Sequence, residues 1–298
     1  MINWNDMRYF LTLSRKNSFV AAAHELKVTH STVARRISAL EESLQTTLFQ
    51  RTEKGCSLTP DGERLIEFAE RLESTVLNLE ESVSGDNEQL AGTIRIGAPD
   101  GIGNSYLPSC LARLQHMYSS LEIELIAVPM YYSLSKREID ILITVRRPQS
   151  GNIIIRKLTD YRLGLFATRE YLENHLEIRN VEDLKEHRII GYIDDLLFDQ
   201  DLQFMEEILP GLSPGFRSTT VIAQMNGVAA GAGIGIIPYF MANRDKSLLP
   251  LLPEKSITRG YWLQVNPDSR QLARVRTTID FLVAQAKANQ DLFLTLME

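Results

Sequence analysis

The run Ser18-Phe19-Val20-Ala21-Ala22-Ala23-His24-Glu25-Leu26-Lys27-Val28-Thr29-His30-Ser31-Thr32-Val33-Ala34-Arg35-Arg36-Ile37 decides what the first part of this chain is. Ser18 stands where a helix starting at Phe19 needs its cap, and three consecutive alanines let another helix approach closely. Lys27-Val28 interrupts, and Thr29 is placed to cap a second helix running to about Glu42. Two short helices around a tight turn predict a helix-turn-helix over about residues 18–37. In the second helix Val33, Ile37 and Leu40 fall at i, i+4 and i+7 and make one apolar stripe. At about 100° per residue, Arg35 points almost opposite that stripe, with Ser31, Ser38 and Ala39 beside it. Thr32 lies at the side and Arg36 nearer the stripe's edge. Such a face suits a major groove, where Arg pairs with guanine and Ser or Thr with bases or phosphates. Taken in isolation, a merely solvated helix face reads the same way.

The flanks sharpen the reading. Trp4, Met7, Phe10 or Leu11, and Ser14 recur at helical spacing behind Asn3 and Asn5 as N-caps. After the run, Leu48-Phe49-Gln50-Arg51-Thr52-Glu53-Lys54-Gly55-Cys56-Ser57-Leu58 places two short apolar segments around a basic, Gly-containing turn, which predicts a hairpin. Arg51, Thr52 and Lys54 near its tip are candidate phosphate or minor-groove contacts. Thr59 caps the next helix, with Pro60 at its first position.

These residues, together with Leu40-Glu41-Glu42, Leu44 and Thr59-Pro60-Asp61-Gly62, closely resemble the winged helix-turn-helix of LysR-type transcriptional regulators. The match spans about sixty residues at the family's spacing. Two positions depart from the family's habit: His30 stands where it usually has Gln, and Ala34 where it often has Ser. His30, at the start of the recognition helix, bears on base preference, so an operator sequence does not transfer from relatives. The candidate DNA-binding set is His30, Ser31, Thr32, Arg35, Arg36, Arg51, Thr52 and Lys54.

From Asp61 to about Glu88 the chain predicts one long helix. Leu65, Leu72 and Leu79 repeat every seven residues, with Ala69, Val76 and Val83 interleaved. That pattern suits pairing with a copy in a second subunit; packing on the helix's own domain is the alternative. The resemblance makes it a linker helix, residues 61–90, that pairs antiparallel in a dimer. Its acids Glu63, Glu67, Glu70, Glu73, Glu80 and Glu81 mostly fall outside the seam and read as a solvated face.

From about Ala91 strands and helices alternate, which predicts mainly parallel sheet with ligand crevices at strand C-termini. Thr93–Ala98 is read as a strand, Pro99-Asp100-Gly101 and Gly103 as a Gly-rich turn, and about Ser105–His116 as a helix. Further strands are read at Glu122–Val128, Ile139–Val145, Ile153–Ile155 and Tyr161–Ala167. This body resembles the effector domain of the same family, a type 2 periplasmic-binding fold. The expected fold class is therefore α+β and multi-domain: a winged helix-turn-helix at 1–60, the linker helix at 61–90, and a two-lobed α/β effector-binding domain at 91–298. The resemblance divides the last into lobe I (about 91–145 and 255–298) and lobe II (about 146–254).

The crevice suggests a ligand set. Asp100, Gly101, Asn104 and Ser105 follow the first strand, where free amides at a helix start attract anions. Tyr131 and Tyr132 offer aromatic walls after the second strand, and Arg146 follows the third. Tyr192 and Thr220 stand where the family's cleft is completed from lobe II. Asp100 opposes an anionic effector, which leaves the ligand's charge open.

Composition narrows the rest. The 298 residues are 44% hydrophobic and 23% charged, as in ordinary globular proteins. The net charge of −6 hides its distribution. Residues 1–60 carry eight Lys/Arg against five Asp/Glu, and residues 61–90 two against nine. Cys56 and Cys110 are too few for a disulfide framework. No signal peptide or membrane span is expected, which points to a cytoplasmic, nucleoid-associated protein. Gly231-Ala232-Gly233-Ile234-Gly235 resembles a truncated dinucleotide fingerprint, but helix precedes it and strand follows, the reverse of what that motif needs. His24, His30, His116, His175 and His187 show no metal-ligand spacing, and neither a nucleophile elbow nor a P-loop occurs. No enzyme, metal or cofactor is expected. The partners expected are double-stranded DNA, a small-molecule effector, a second copy as dimer or tetramer, and RNA polymerase. The competing class is a ligand-binding or enzymatic α/β protein whose head serves protein contacts.

Overall fold

The computed structural model describes residues 3–52, 55–83, 90–128, 139–149, 153–197, 199–267 and 269–297. The chain divides into two compact units, Met1–Asp86 and Asn87–Glu298.

The first unit runs α1 (Trp4–Lys16), α2 (Phe19–Glu25), α3 (His30–Leu44), β1 (Phe49–Thr52), β2 (Gly55–Leu58) and α4 (Pro60–Val83). Its helix boundaries follow local chemistry. The side chains of Asn3, Ser18 and Thr29 accept from backbone N–H groups at the starts of α1, α2 and α3. Asn17 and Gln45, both at φ 53, end α1 and α3 in the left-handed region, so α3 stops at Leu44. Thr59 closes the turn into α4, accepting from the Gly62 N–H at 3.1 Å. One core lies under all of this: Met7, Phe10, Leu11 and Leu13 of α1, Ala22 and Ala23 of α2, and Val33, Ile37 and Leu40 of α3, with Leu48, Cys56 and Ala69. The wing strands pair antiparallel from Phe49↔Leu58 to Thr52↔Gly55. The wing is tied down at its base, where Glu41 of α3 accepts from the N–H groups of Leu48 (2.7 Å) and Phe49 (3.2 Å).

The linker helix departs from the expected seam. Ala69 is fully buried in the head's own core, so it has no surface left for a partner subunit. Leu65 and Ile66 pack on that core too, while Phe68 and Leu72 are exposed. Glu73, read as solvated, receives both Arg15 guanidinium hydrogen bonds, at 3.2 and 2.7 Å. The reason is periodicity: an apolar repeat on a helix looks alike whether it meets its own domain or a copy. The side chains of Leu79 and Val83 lie outside the described residues.

The second unit continues with β3 (Gly92–Ala98), α5 (Asp100–Ser105), α6 (Leu107–Met117), β4 (Leu121–Ala127), β5 (Ile141–Thr144), β6 (Ile154–Thr168), α7 (Arg169–Glu173) and β7 (Ile189–Tyr192). Then follow α8 (Met205–Ile208), β8 (Phe216–Ser218), α9 (Val221–Ala229), β9 (Ile234–Pro238), α10 (Tyr239–Ala242), β10 (Leu248–Leu251), β11 (Ile257–Val265), α11 (Ala273–Ala288) and α12 (Gln290–Leu294). The strands bond in the order β4-β3-β5-β11-β6-β9-β7-β8, with β10 on β6. Parallel pairs lie at the two ends, β4-β3-β5 and β9-β7-β8, and the antiparallel pair β6–β11 joins them. The sheet is therefore mixed rather than mainly parallel. The apolar run 161–167 and Ile154-Ile155 belong to one fifteen-residue strand, β6. Among the described residues, no helix is long and apolar enough to cross a membrane.

Residues 100–105 also depart from expectation: the Gly-rich stretch is helix, not turn. Its glycines serve close approach. A Cβ on Gly101 would stand 2.8 Å from Val221 of α9, and one on Gly103 2.5 Å from Ala127 of β4.

Candidate nucleic-acid interface and effector cleft

On α3 the buried stripe Val33-Ile37-Leu40 turns the opposite face outward. His30, Ser31 and Arg35 are exposed, and Thr32 is half-buried. The Thr29 hydroxyl sits 2.9 Å from those of both Ser31 and Thr32, which holds the first turn in place. Arg35 makes no hydrogen bond or ion pair among the described residues, so its guanidinium is available to a ligand. Arg36 is not. It bonds the Asp6 carboxylate at 3.2 Å and lies 5.9 Å from the Tyr9 ring centroid, bracing α3 against α1. Arg36→Ala should cost about 0.2–1 kcal/mol of head stability, as expected for a half-exposed pair, read by thermal melting. Its loss of DNA affinity should be smaller than that of Arg35→Ala. The backbones of Arg51 and Thr52 end β1, but their side chains, and all of Lys54, lie outside the described residues.

In the second unit, α5 leaves the C-terminal end of β3 and meets the start of α9. Asp100, 3% exposed, accepts from the Ile222 N–H at 3.3 Å, joining the two helices. Thr220 caps α9, accepting from the Ala223 N–H at 3.2 Å. Around Asp100 stand buried rings. Tyr161 of β6 stacks on Tyr261 of β11 with centroids 4.3 Å apart and planes 13° from parallel. Tyr192 meets Phe204 edge-on at 6.0 Å. Between Asp100, these four rings, Leu202 and Val221 remains a cavity of about 20 Å³. Burial pushes the Asp100 carboxyl up, and the α9 amides partly offset this. Burial also raises Tyr161, Tyr192 and Tyr261, so all three keep their protons near neutral pH.

Two family models match the chain. "Bacterial regulatory helix-turn-helix protein, lysR family" covers residues 4–63, and "LysR substrate binding domain" covers residues 87–287. The chain belongs to the LysR family. It is a LysR-family transcriptional regulator with an effector-binding domain, not an enzyme. It is 25% identical to the regulator CrgA of Neisseria meningitidis, over 96% of this chain and 98% of that one. Full-length OxyR from Pseudomonas aeruginosa shares the fold with a TM-score of 0.71 at 18% identity, over 95% of each chain. Full-length LysG from Corynebacterium glutamicum, with bound effector Arg, does so at 0.62 and 16%, over 95% of this chain and 99% of that one.

In this LysR-family regulator only part of the expected effector set comes together. Asp100, Gly101 and Tyr192 line the cavity. Asn104 and Ser105 do not, because they end α5 rather than begin it; the Asn104 side chain bonds back to the Asp100 carbonyl at 2.9 Å. Arg146 turns instead into an open groove with Arg147, Asp201, Arg259 and Trp262, bonding Asp201 at 3.4 Å and Gln200 at 3.2 Å. Thr220 stays at its cap. Tyr131 and Tyr132 lie outside the described residues. Tyr161, Tyr261 and Phe204 carry no sequence signal for the cleft, since each looks like an ordinary apolar strand or loop residue until strand register brings them together.

The raised Asp100 carboxyl sets a pH sign. The native state holds this proton more tightly than the unfolded chain, so stability falls as pH rises through the native value and is greatest below it. Asp100→Asn should therefore raise the melting temperature at pH 7, with the gain shrinking toward pH 4. Calorimetry across that range checks this; no gain at pH 7 would show that the α9 amides fully compensate the charge.

Proposed function

We propose that the head lays α3 in the major groove, with Arg35, Ser31 and His30 toward base edges and the wing residues Arg51, Thr52 and Lys54 against the backbone or minor groove. The observation that carries this is the outward Arg35, without a hydrogen bond or ion pair among the described residues, on a helix held by its cap, its core stripe and the Arg36–Asp6 brace. Two copies paired along α4, with Leu72 and the more distal Val76, Leu79 and Val83 toward the partner, would present two heads to an inverted repeat. Contacts between effector domains would extend the assembly to a tetramer in the cytoplasm, with RNA polymerase as the further partner. A small molecule between the lobes shifts the relative position of the heads and so polymerase access. That LysG, which shares the fold, was solved with bound effector Arg supports a small-molecule effector for this chain.

Selection from random duplex DNA with the full-length protein, at low and near-physiological salt, tests this. An enriched inverted repeat with half-sites about one helical turn apart, or a multiple of it, is the expected result. A pool without a motif, with binding lost at higher salt, would leave only non-specific attraction to phosphates.

A further inference from the structure

Resting on the reading of the cleft as the effector site, we infer that this cleft takes its effector through a cationic group, an ammonium or guanidinium, rather than through a carboxylate.

Three observations meet here. The cavity has one charged lining residue among the described residues, the carboxylate of Asp100, and its other walls are Tyr161, Tyr192, Tyr261, Phe204 and aliphatic side chains. No Lys or Arg side chain pairs with Asp100 among the described residues, and Arg146, which follows β5, is held by Asp199 and Asp201 in a different groove. The start of α9, where an anion would find backbone N–H groups, is already taken: the Ile222 N–H donates to Asp100.

An incoming carboxylate would thus meet a like charge in a buried site, with its natural donors occupied. Repulsion there is weakly screened. A cation meets the opposite. Asp100 supplies the counter-charge that the fold leaves out, and aromatic faces attract ammonium and guanidinium through their negative π-surfaces. Desolvation also favours the pairing, since a cation compensates a buried carboxylate that now depends on amide dipoles alone. Size adds a mechanical consequence. A cavity of about 20 Å³ holds little more than one water, so a larger molecule enters only as α5 and α9 part. Effector entry is thereby coupled to movement of one lobe against the other.

The test is calorimetric titration of the full-length protein and of Asp100→Asn and Asp100→Ser with two sets of probes. One set is cationic: agmatine, cadaverine and choline as chlorides. The other is anionic: butyrate, benzoate and malate as sodium salts. The expected result is that cationic probes bind the native protein and lose roughly ten- to hundredfold in Asp100→Asn, the range for a hydrogen bond to a charged group. Anionic probes should fail on the native protein and gain on Asp100→Ser, where the α9 amides are freed. Melting curves of each variant confirm folding. Anions binding natively, with affinity changed by either substitution, would overturn the charge inference and leave the cleft as the effector site. Cations binding equally well to Asp100→Asn would overturn it by placing the contact elsewhere. No response to any probe in any variant would overturn the charge inference and the reading of the cleft together.

Discussion

Phe10→Ala is expected to weaken specific DNA binding sharply while the effector unit stays folded. Phe10 is fully buried at the centre of the head, and its ring lies 5.5 Å from that of Phe49. One side chain therefore ties α1 to the wing as well as to α3. Truncating a buried Phe costs about 3–5 kcal/mol, the lost transfer energy plus the cavity left behind. A head of this size is stable by only about 4–12 kcal/mol, so the loss takes from about a quarter of that margin to all of it. Trp4 packs against the same core and is one of two tryptophans in the chain, the other being Trp262. In a Trp262→Phe background its fluorescence therefore reports on the head alone. The expected result is a head transition lowered by many degrees, with far-ultraviolet signal from the effector unit still melting at its original temperature. Unchanged Trp4 melting would mean that the head core closes around the missing ring.

Arg35→Ala should weaken binding to the selected operator by about 1–3 kcal/mol, the range for a side chain reading a base edge, with little change on random duplex. The physical ground is that Arg35 is exposed, without a hydrogen bond or ion pair among the described residues, and lies opposite the buried stripe of α3. Removing it breaks no hydrogen bond or ion pair among the described residues, so the effect is expected to fall on the DNA complex. Fluorescence anisotropy on both duplexes at two salt concentrations separates the outcomes. Equal weakening on both, with a salt slope reduced by about one, would make Arg35 a phosphate contact. The contrast with Arg36 is informative because the two residues are adjacent and chemically identical. Their roles differ only through the roughly 100° turn between them, which swings one guanidinium onto Asp6 and leaves the other facing outward.

Much of the head was legible from the sequence because its determinants are local. Ser18, Thr29 and Thr59 each cap a helix by bonding the N–H three residues on, and the hairpin follows from two apolar runs around a Gly. The surroundings of Ala69 and Glu73 are not legible in the sequence, for the opposite reason. Their positions on the helix are local, but which surface faces them is not: Ala69 meets the head core and Glu73 meets Arg15, fifty-eight residues earlier. In the effector unit, the Gly101 and Gly103 pair signalled a turn when read locally. Only contact with Val221 and Ala127 shows that the missing side chains make room for neighbours.

The sequence by itself determined the family, the helix-turn-helix with its wing, the α/β body, and an exposed helix face carrying Arg35. Caps, periodicities and short spacings act within a few residues, and a linear reading captures them. Tertiary structure alone decided that Arg36 braces the head, that Arg146 leaves the cleft, and that Asp100 is enclosed by Tyr161, Tyr192, Tyr261 and Phe204. The stacking of Tyr161 on Tyr261 depends on the register of two strands about one hundred residues apart, interrupted by a bulge at Tyr261/Trp262. A one-residue slip would turn either ring to the opposite face of the sheet. The charge and walls of the cleft are set by that register, because it selects which side chains of each strand point inward.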